Sequence, residues 1–252
     1  MSLPRVLEVE NMDTADEANA YDAMDHRHVN RVFVDDLLSA AGLIPADDAT
    51  REDDVAREDD VARENDATRE DDATLDVLDL GAGTARIPIE LCQRVADARV
   101  LAVDAAVHML ELAHYNVEIA GLGGRVQLLQ ADAKRLPFRD AMFQMVISNS
   151  ILHHIPEPLL AIREAVRVTA PGGLLFFRDL LRPDTLDQLQ GLVEQYAGAE
   201  SAAARQMFAD SLHAALSLAE IRSFVETLGF APETVQATSD RHWTWNARRK
   251  SV

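Results

Sequence analysis

The ten residues Val77-Leu78-Asp79-Leu80-Gly81-Ala82-Gly83-Thr84-Ala85-Arg86 leave this chain few choices of fold. A short apolar run tipped by an acid breaks at two glycines, and the residues from there to Arg94 are helix-compatible. Strand, glycine turn and helix in that order open a βα nucleotide-binding unit. Gly81 permits the tight turn, and Gly83 lets a ligand approach backbone with no Cβ in the way. The amides that start the helix face that ligand.

The alternation continues downstream. Apolar runs predict strands near 75–80, 98–103, 125–130, 143–149 and 173–179, with helices near 84–96, 106–121 and 157–169 between them. Pro171-Gly172-Gly173 predicts a sharp turn into the fifth strand. Beyond Arg182, helical segments run from about Asp184 to Leu228 and stop at Gly229, and two last strands, near 233–238 and 241–247, are close enough to pair antiparallel. The expected fold is α/β: a Rossmann-like, seven-stranded, mostly parallel sheet with helices on both faces and a C-terminal antiparallel hairpin.

Two segments precede the sheet. Residues 1–14 read as a loose start, and from Ala15 to Ala41 apolar positions such as Tyr21, Met24, Val29, Phe33 and Leu37 fall near helical spacing, with Gly42 as the stop. Residues 49–74 repeat with a period of six, beginning Ala-Thr-Arg-Glu-Asp-Asp, and hold eleven acids against four arginines between 51 and 72. Six is neither the helical nor the strand period, so no apolar face forms, and a solvated linker or insert is expected, with an acidic interaction segment as the alternative. The expected organisation is N-terminal helices over 1–48 packing on the core as a lid, the repeat over 49–74, and a core over 75–252.

Charge narrows the partners. With 43 Asp and Glu against 24 Lys and Arg, and an acidic balance outside the repeat as well, the chain lacks the basic footprint that duplex nucleic acid demands. Cys92 is the single cysteine, which excludes an intrachain disulfide and fits a reducing compartment. The first thirty residues carry no basic region followed by an apolar one, and no apolar run approaches the ~18 residues of a membrane span. A cytoplasmic protein with no membrane span is expected.

The nucleotide is read from the strand ends. Gly81-x-Gly83-x-x-Arg86 lacks the third glycine of the dinucleotide fingerprint. Asp104 closes the second strand, where an acid accepts from both ribose hydroxyls, as it also does in NAD-binding chains. Asp132 follows the third strand and can accept from an adenine amino group. With Asp79, that makes three acids at three strand ends, an array suited to a cationic ligand with one ribose and no phosphates; a pyrophosphate would be repelled by Asp79.

Further stretches sharpen this reading. Val77 to Thr84, Val103-Asp104 with Met109-Leu110, Gln130-Ala131-Asp132-Ala133 with Leu136-Pro137-Phe138, Ser148 to Ile155, and Glu164 to Gly173 together resemble the class I S-adenosylmethionine-dependent methyltransferases. The likeness is to the ubiquinone/menaquinone-biosynthesis-like, small-molecule branch, and it runs from Leu75 to about Leu181. It implies S-adenosyl-L-methionine as cofactor, S-adenosyl-L-homocysteine as product, and a binding set of Asp79, Gly81, Ala82, Gly83, Asp104, Ala105, Met109, Asp132, Ala133, Ser148 and Asn149. Two positions depart from the pattern: Ala106 where a small polar residue is usual, and Ala85 where a third glycine often stands.

No catalytic triad stands out, as expected for a displacement on an already activated methyl group. His153, His154 and Tyr21 are the catalytic candidates. Either histidine could act as a base, with packing or loop hydrogen bonding as the alternative. Adjacent side chains in extended or loop backbone diverge, so no shared metal is expected. Tyr21, with Asp25, His26 and His28 on the leading helices, either faces the sulfonium or packs in the core. Arg86 is expected to snorkel or pair with a surface acid. Trp243 and Trp245 should share one face of the last strand, as core or as substrate wall.

Ser148-Asn149-Ser150-Ile151 is not the Asn/Asp-Pro-Pro-aromatic segment of enzymes that methylate base amino groups, and Cys92 lies far from it. The expected acceptor is therefore a small molecule, methylated on O, N or C. A non-catalytic S-adenosylmethionine-binding or regulatory protein is one alternative. A nicotinamide-dependent oxidoreductase is another, opposed by the missing glycine, Asp79 and the terminal hairpin.

Overall fold

The computed structural model describes residues 3–8, 14–22, 26–43 and 74–250. The acidic repeat up to residue 73, Met24 and Asp25 lie outside the described residues. In chain order the elements are α1 (Ala15–Asp22), α2 (Arg27–Ala41), β1 (Leu75–Leu80), α3 (Arg86–Arg94), β2 (Ala98–Asp104), α4 (Val107–Ile119) and β3 (Val126–Gln130). They continue with β4 (Phe143–Asn149), α5 (Pro158–Val168), β5 (Thr169–Leu180), α6 (Leu186–Ala197), α7 (Ala202–Ala214), α8 (Leu218–Thr227), β6 (Val235–Ala237) and β7 (His242–Arg248).

One seven-stranded sheet has the order β3-β2-β1-β4-β5-β7-β6. β1 to β5 pair in parallel, and β7 lies antiparallel between β5 and β6. The strand order reverses between β1 and β4, and a crevice opens at the carboxyl ends of the strands at such a switch point. β5 departs from expectation by starting early. Phe143 pairs with Thr169 and Met145 already pairs with Leu174, so Pro171-Gly172-Gly173 bulges out of the strand, with Gly172 at φ 77°.

The period of two along the strands splits the core into two layers. Ile147 and Phe176 face Phe33 and Leu37 of α2 and Leu91 of α3, whereas Val146 and Phe177 face Ile162 of α5, Ile221 of α8, Trp243 and Trp245. Phe33 meets Phe176 edge-on, and Trp245 packs against Phe177 and Phe230. Both tryptophans are fully buried, so they are core rather than substrate wall. α6 and α8 begin with capping boxes, Thr185 with Gln188 and Ser217 with Glu220. Among the described residues no helix is long and apolar enough to cross a membrane.

The start of the chain is not loose where it is described. Arg5 donates from Nε to the Ala214 carbonyl at 2.6 Å and from Nη2 to the carbonyls of His153 at 3.1 Å and Ile155 at 3.0 Å. A guanidinium with several donors in one plane can close a set of loop carbonyls in this way. It fixes residues 3–8 against the loop after β4 and the end of α7.

Candidate functional site

The glycine turn after β1 hangs on β2. The amides of Gly81 and Ala82 both donate to the Val103 carbonyl, at 2.8 and 3.0 Å, and Gly83 donates to Asp104 Oδ2 at 2.8 Å. Asp104 Oδ1 accepts from Ala106 at 2.9 Å. Each oxygen of that carboxylate is thereby positioned and retains lone pairs toward the crevice. Burial raises the Asp104 carboxyl above its ordinary range, against the pull of those amides.

The two glycines serve different ends. Gly81 has φ 70°, and a Cβ there would stand 2.0 Å from Ile151 Cγ2, so its bareness admits the residue that follows β4. At Gly83, with φ 53°, a Cβ would meet only Tyr21, at 3.9 Å, and the space above its backbone is open. Ala85 also adopts a left-handed conformation, φ 61°, where a third glycine would be unstrained.

Asp79 is the last residue but one of β1 and is only 2% exposed. Among the described residues no donor reaches its carboxylate. Burial, and then the charge of Asp104, push its pKa up to about 8. An acid in this state costs free energy to ionise until a cation arrives.

Two cavities meet over these residues. One, of about 520 Å³, is lined by Asp104, Ala105, Met109, Asp132, Ala133 and His154 among others. The second, of about 700 Å³, is bounded by Asp79, Ala82, Thr84, Arg86, Asn30 and Arg31 among others. Tyr21, Gly81, Gly83 and Asn149 belong to both walls, so the two form one crevice with Tyr21 at its waist. Tyr21 comes from α1, which Asp22 ties down through both carboxylate oxygens to Arg86 and through Oδ1 to Asn116. Burial and the surrounding charges of Asp104, Asp22 and Asp79 raise the Tyr21 pKa, so its phenol stays protonated.

The crevice thus gathers Asp79, Gly81, Ala82, Gly83, Asp104, Ala105, Met109, Asp132, Ala133 and Asn149. Asp132 is half-exposed and occupied locally, accepting from the Lys134 amide at 2.8 Å and facing Lys134 Nζ at 3.1 Å. Ser148 is a correction. It is buried, lines neither cavity, and donates to the Leu80 carbonyl at 2.9 Å, fastening β4 to β1.

The histidines bring a second correction. Their rings do not diverge but lie 4.1 Å apart, on a tight turn in which the His154 amide donates to the Ile151 carbonyl and the Ile155 amide to the Leu152 carbonyl. His153 is buried outside the crevice with Nδ1 2.5 Å from Asp179 Oδ1. Burial alone would lower the His153 pKa, but the charge and hydrogen bond of Asp179 raise it. Asp179 shifts the other way: burial opposes its ionisation, and His153 with the Leu180 and Leu152 amides prevails. His154 lines the cavity, and its Nδ1 is 3.0 Å from Glu8 Oε1. The sequence pointed to neither Arg5 nor Glu8. Asp179, near the end of β5, stood open to the strand-end logic that found Asp79, Asp104 and Asp132.

A parallel sheet in this order with an antiparallel β7, and acids at the glycine turn and the next strand ends, define a Rossmann-like methyltransferase domain. Residues 78–177 match the family described as "Methyltransferase domain". Residues 78–177 are thus a methyltransferase domain of the class I S-adenosylmethionine-dependent kind. The chain is 31% identical over 177 residues to 27-O-demethylrifamycin SV methyltransferase of Amycolatopsis mediterranei, covering 69% of this chain and 61% of that one. It is 39% identical to malonyl-[acyl-carrier protein] O-methyltransferase of Halorhodospira halophila, over 46% of this chain and 38% of the other. With ubiquinone/menaquinone biosynthesis C-methyltransferase UbiE of Vibrio campbellii the identity is 31%, over 48% and 47% of the two chains. The chain therefore spans about two fifths to three fifths of the length of these relatives. A solved structure from Methanococcus maripaludis, described as an S-adenosyl-L-methionine-dependent methyltransferase, has the same fold, with a TM-score of 0.67, 14% identity and 98% of both chains covered.

Proposed function

We propose that the chain binds S-adenosyl-L-methionine across the crevice and transfers its methyl group to a small-molecule acceptor on O, N or C, releasing S-adenosyl-L-homocysteine. The observation that carries the reading is Asp79: a buried acid that no donor among the described residues reaches, set at the glycine turn and facing a cavity. A ligand with an ammonium and a sulfonium group supplies the cation it lacks, and a pyrophosphate does not. Asp104 takes the ribose hydroxyls, Met109 lies beside the adenine, and Asp132 with Ala133 meets its edge. Gly81 to Gly83 border the methionine end.

The transfer is an in-line displacement. The acceptor atom forms its bond to the methyl carbon as the carbon–sulfur bond breaks, and any acceptor proton leaves to water or a base. The protein's share is alignment and exclusion of water. α1 serves as the lid, and the acidic repeat over 49–74 stands in the sequence between lid and core. Of the three catalytic candidates, His153 is engaged by Asp179 and Tyr21 keeps its proton, which leaves His154 as the imidazole in the crevice wall.

The acidic surface supports a small metabolite rather than a nucleic acid as acceptor, and the single buried cysteine suits a cytoplasmic setting. Titration calorimetry with S-adenosyl-L-methionine and separately with NADH tests the reading. Binding of the first and not the second is expected, followed by methyl incorporation from labelled cofactor across an acceptor panel. Binding of NADH alone overturns it. S-adenosyl-L-methionine binding with no turnover on any acceptor favours the regulatory alternative.

A further inference from the structure

The N-terminal segment and the loop after β4 bring three metal-ligating side chains together beside the crevice. Glu8 Oε1 lies 3.0 Å from His154 Nδ1 and 3.6 Å from His153 Nε2. One donor atom from each of the three residues falls within 4.8 Å of the other two. Ligand atoms about 2.1 Å from a tetrahedral ion stand roughly 3.4 Å apart, so this spacing needs little adjustment to close on one.

Two further observations point to a cation. Asp179 Oδ1 takes the Nδ1 side of His153 at 2.5 Å, and Asp179 is itself fixed by the Leu152 and Leu180 amides, both at 2.6 Å. A proton held at Nδ1 leaves the lone pair of Nε2 directed toward Glu8, the carboxylate–histidine arrangement that orients a metal ligand. His154 Nδ1, an atom shielded from solvent, has the Glu8 carboxylate 3.0 Å away and, among the described residues, no hydrogen bond of good ring N–H geometry. Two ring nitrogens thus converge on one carboxylate oxygen.

We propose that Glu8, His153 and His154 bind a divalent first-row transition ion, Zn²⁺ by preference, at the edge of the cavity that His154 lines. Two imidazoles and one carboxylate favour such ions over Mg²⁺ or Ca²⁺, which take oxygen ligands. Three protein ligands leave a coordination position open. Resting on the methyl-transfer reading, that position takes an acceptor hydroxyl or carbonyl oxygen and eases loss of its proton, a task the crevice otherwise leaves to His154 alone.

The test uses the full chain, stripped with a chelator and titrated with ZnCl₂ in the absence of S-adenosyl-L-methionine, so that its failure leaves the cofactor reading untouched. One equivalent is expected to bind. Glu8→Gln and His154→Asn should each weaken binding by about tenfold or more, and His108→Asn, at an exposed pair with Glu111, should not. The Co²⁺-loaded chain should show visible ligand-field bands that both variants lose. The ligand variants carry partly exposed side chains, and melting curves of the metal-free proteins establish that they fold; His154→Gln replaces any variant that does not. No binding at ~100 µM Zn²⁺, where an affinity of only about 5 kcal/mol would register, overturns the proposal. So do equal affinity and an unchanged Co²⁺ spectrum in the variants.

Discussion

Asp104 accepts the Gly83 amide on Oδ2 at 2.8 Å, so the acid that ends β2 also holds the turn that follows β1. Its other oxygen anchors Ala106 at the start of α4. Asp104→Ala removes the ribose acceptor and slackens the cradle together. Charge-assisted hydrogen bonds contribute about 1.5–3 kcal/mol each, so S-adenosyl-L-methionine affinity should fall about a hundredfold. The melting temperature should drop by a few degrees as the turn loosens (~1 kcal/mol). Calorimetry that found unchanged affinity would refute the ribose assignment.

Asp79 gives the molecule a pH signature. Its pKa rises from the ordinary 3.8 to about 8 in the folded chain. Between those values the folded state keeps a proton that the unfolded chain has released. The stability this contributes is fully present below the unfolded value and is lost as pH rises through the folded one, by at most about 1.4 kcal/mol per unit. A cationic ligand favours the carboxylate, so binding should release a proton and tighten as pH climbs from about 6 to 8. Asp79→Asn should flatten both slopes, raise ligand-free stability at pH 8 and weaken binding. Chemical denaturation and calorimetry in buffers of differing ionisation enthalpy measure all of these, and a pH-independent affinity in the parent chain contradicts the assignment.

Gly81→Ala places a methyl group 2.0 Å from Ile151 Cγ2 and forces a left-handed alanine at φ 70°. The expected loss is about 2–4 kcal/mol, from overpacking and backbone strain together. Ile151→Ala in the same chain removes Cγ2 and Cδ1 but leaves Cβ at 2.8 Å, so it should restore the larger part of the clash and none of the backbone strain. A double-mutant cycle on thermal unfolding reads the difference, and strict additivity would mean the two residues do not meet.

The repeat over 49–72 has a period of six, which builds no apolar face to pack on the core. Deleting that segment should change S-adenosyl-L-methionine affinity by less than about twofold. A larger loss in the truncated chain would give the repeat a structural part in the site.

β1 to β4 were legible because each carries a short run of valine, leucine or isoleucine with a polar residue at or next to its end. β1 and β4 begin and end where the apolar pattern does. The strand-end acids came with them, since a strand's last residue in a parallel sheet points its chemistry at the crevice. Ser148 misled because it sits one residue before Asn149 at the end of β4, and period-two alternation turns its hydroxyl inward to Leu80. The cluster around His153 was closed to sequence reasoning for a different reason. Arg5 grips carbonyls 150 and 209 positions away, and no local pattern encodes contacts of that span. The tight turn over 151–155 then brings together two rings that extended backbone would separate.

The fastening of α1 has a kinetic meaning. Its ties are a partly exposed Asp22–Arg86 ion pair, one hydrogen bond to Asn116, and the small apolar patch where Ala18 and Tyr21 meet Ala106 and Met109. A pair so accessible to water holds only about 0–1 kcal/mol, and less as salt rises. Lifting this helix is therefore a shallow excursion that leaves the sheet intact. Cofactor entry and product departure should run at the pace of that excursion, and adding salt should quicken them.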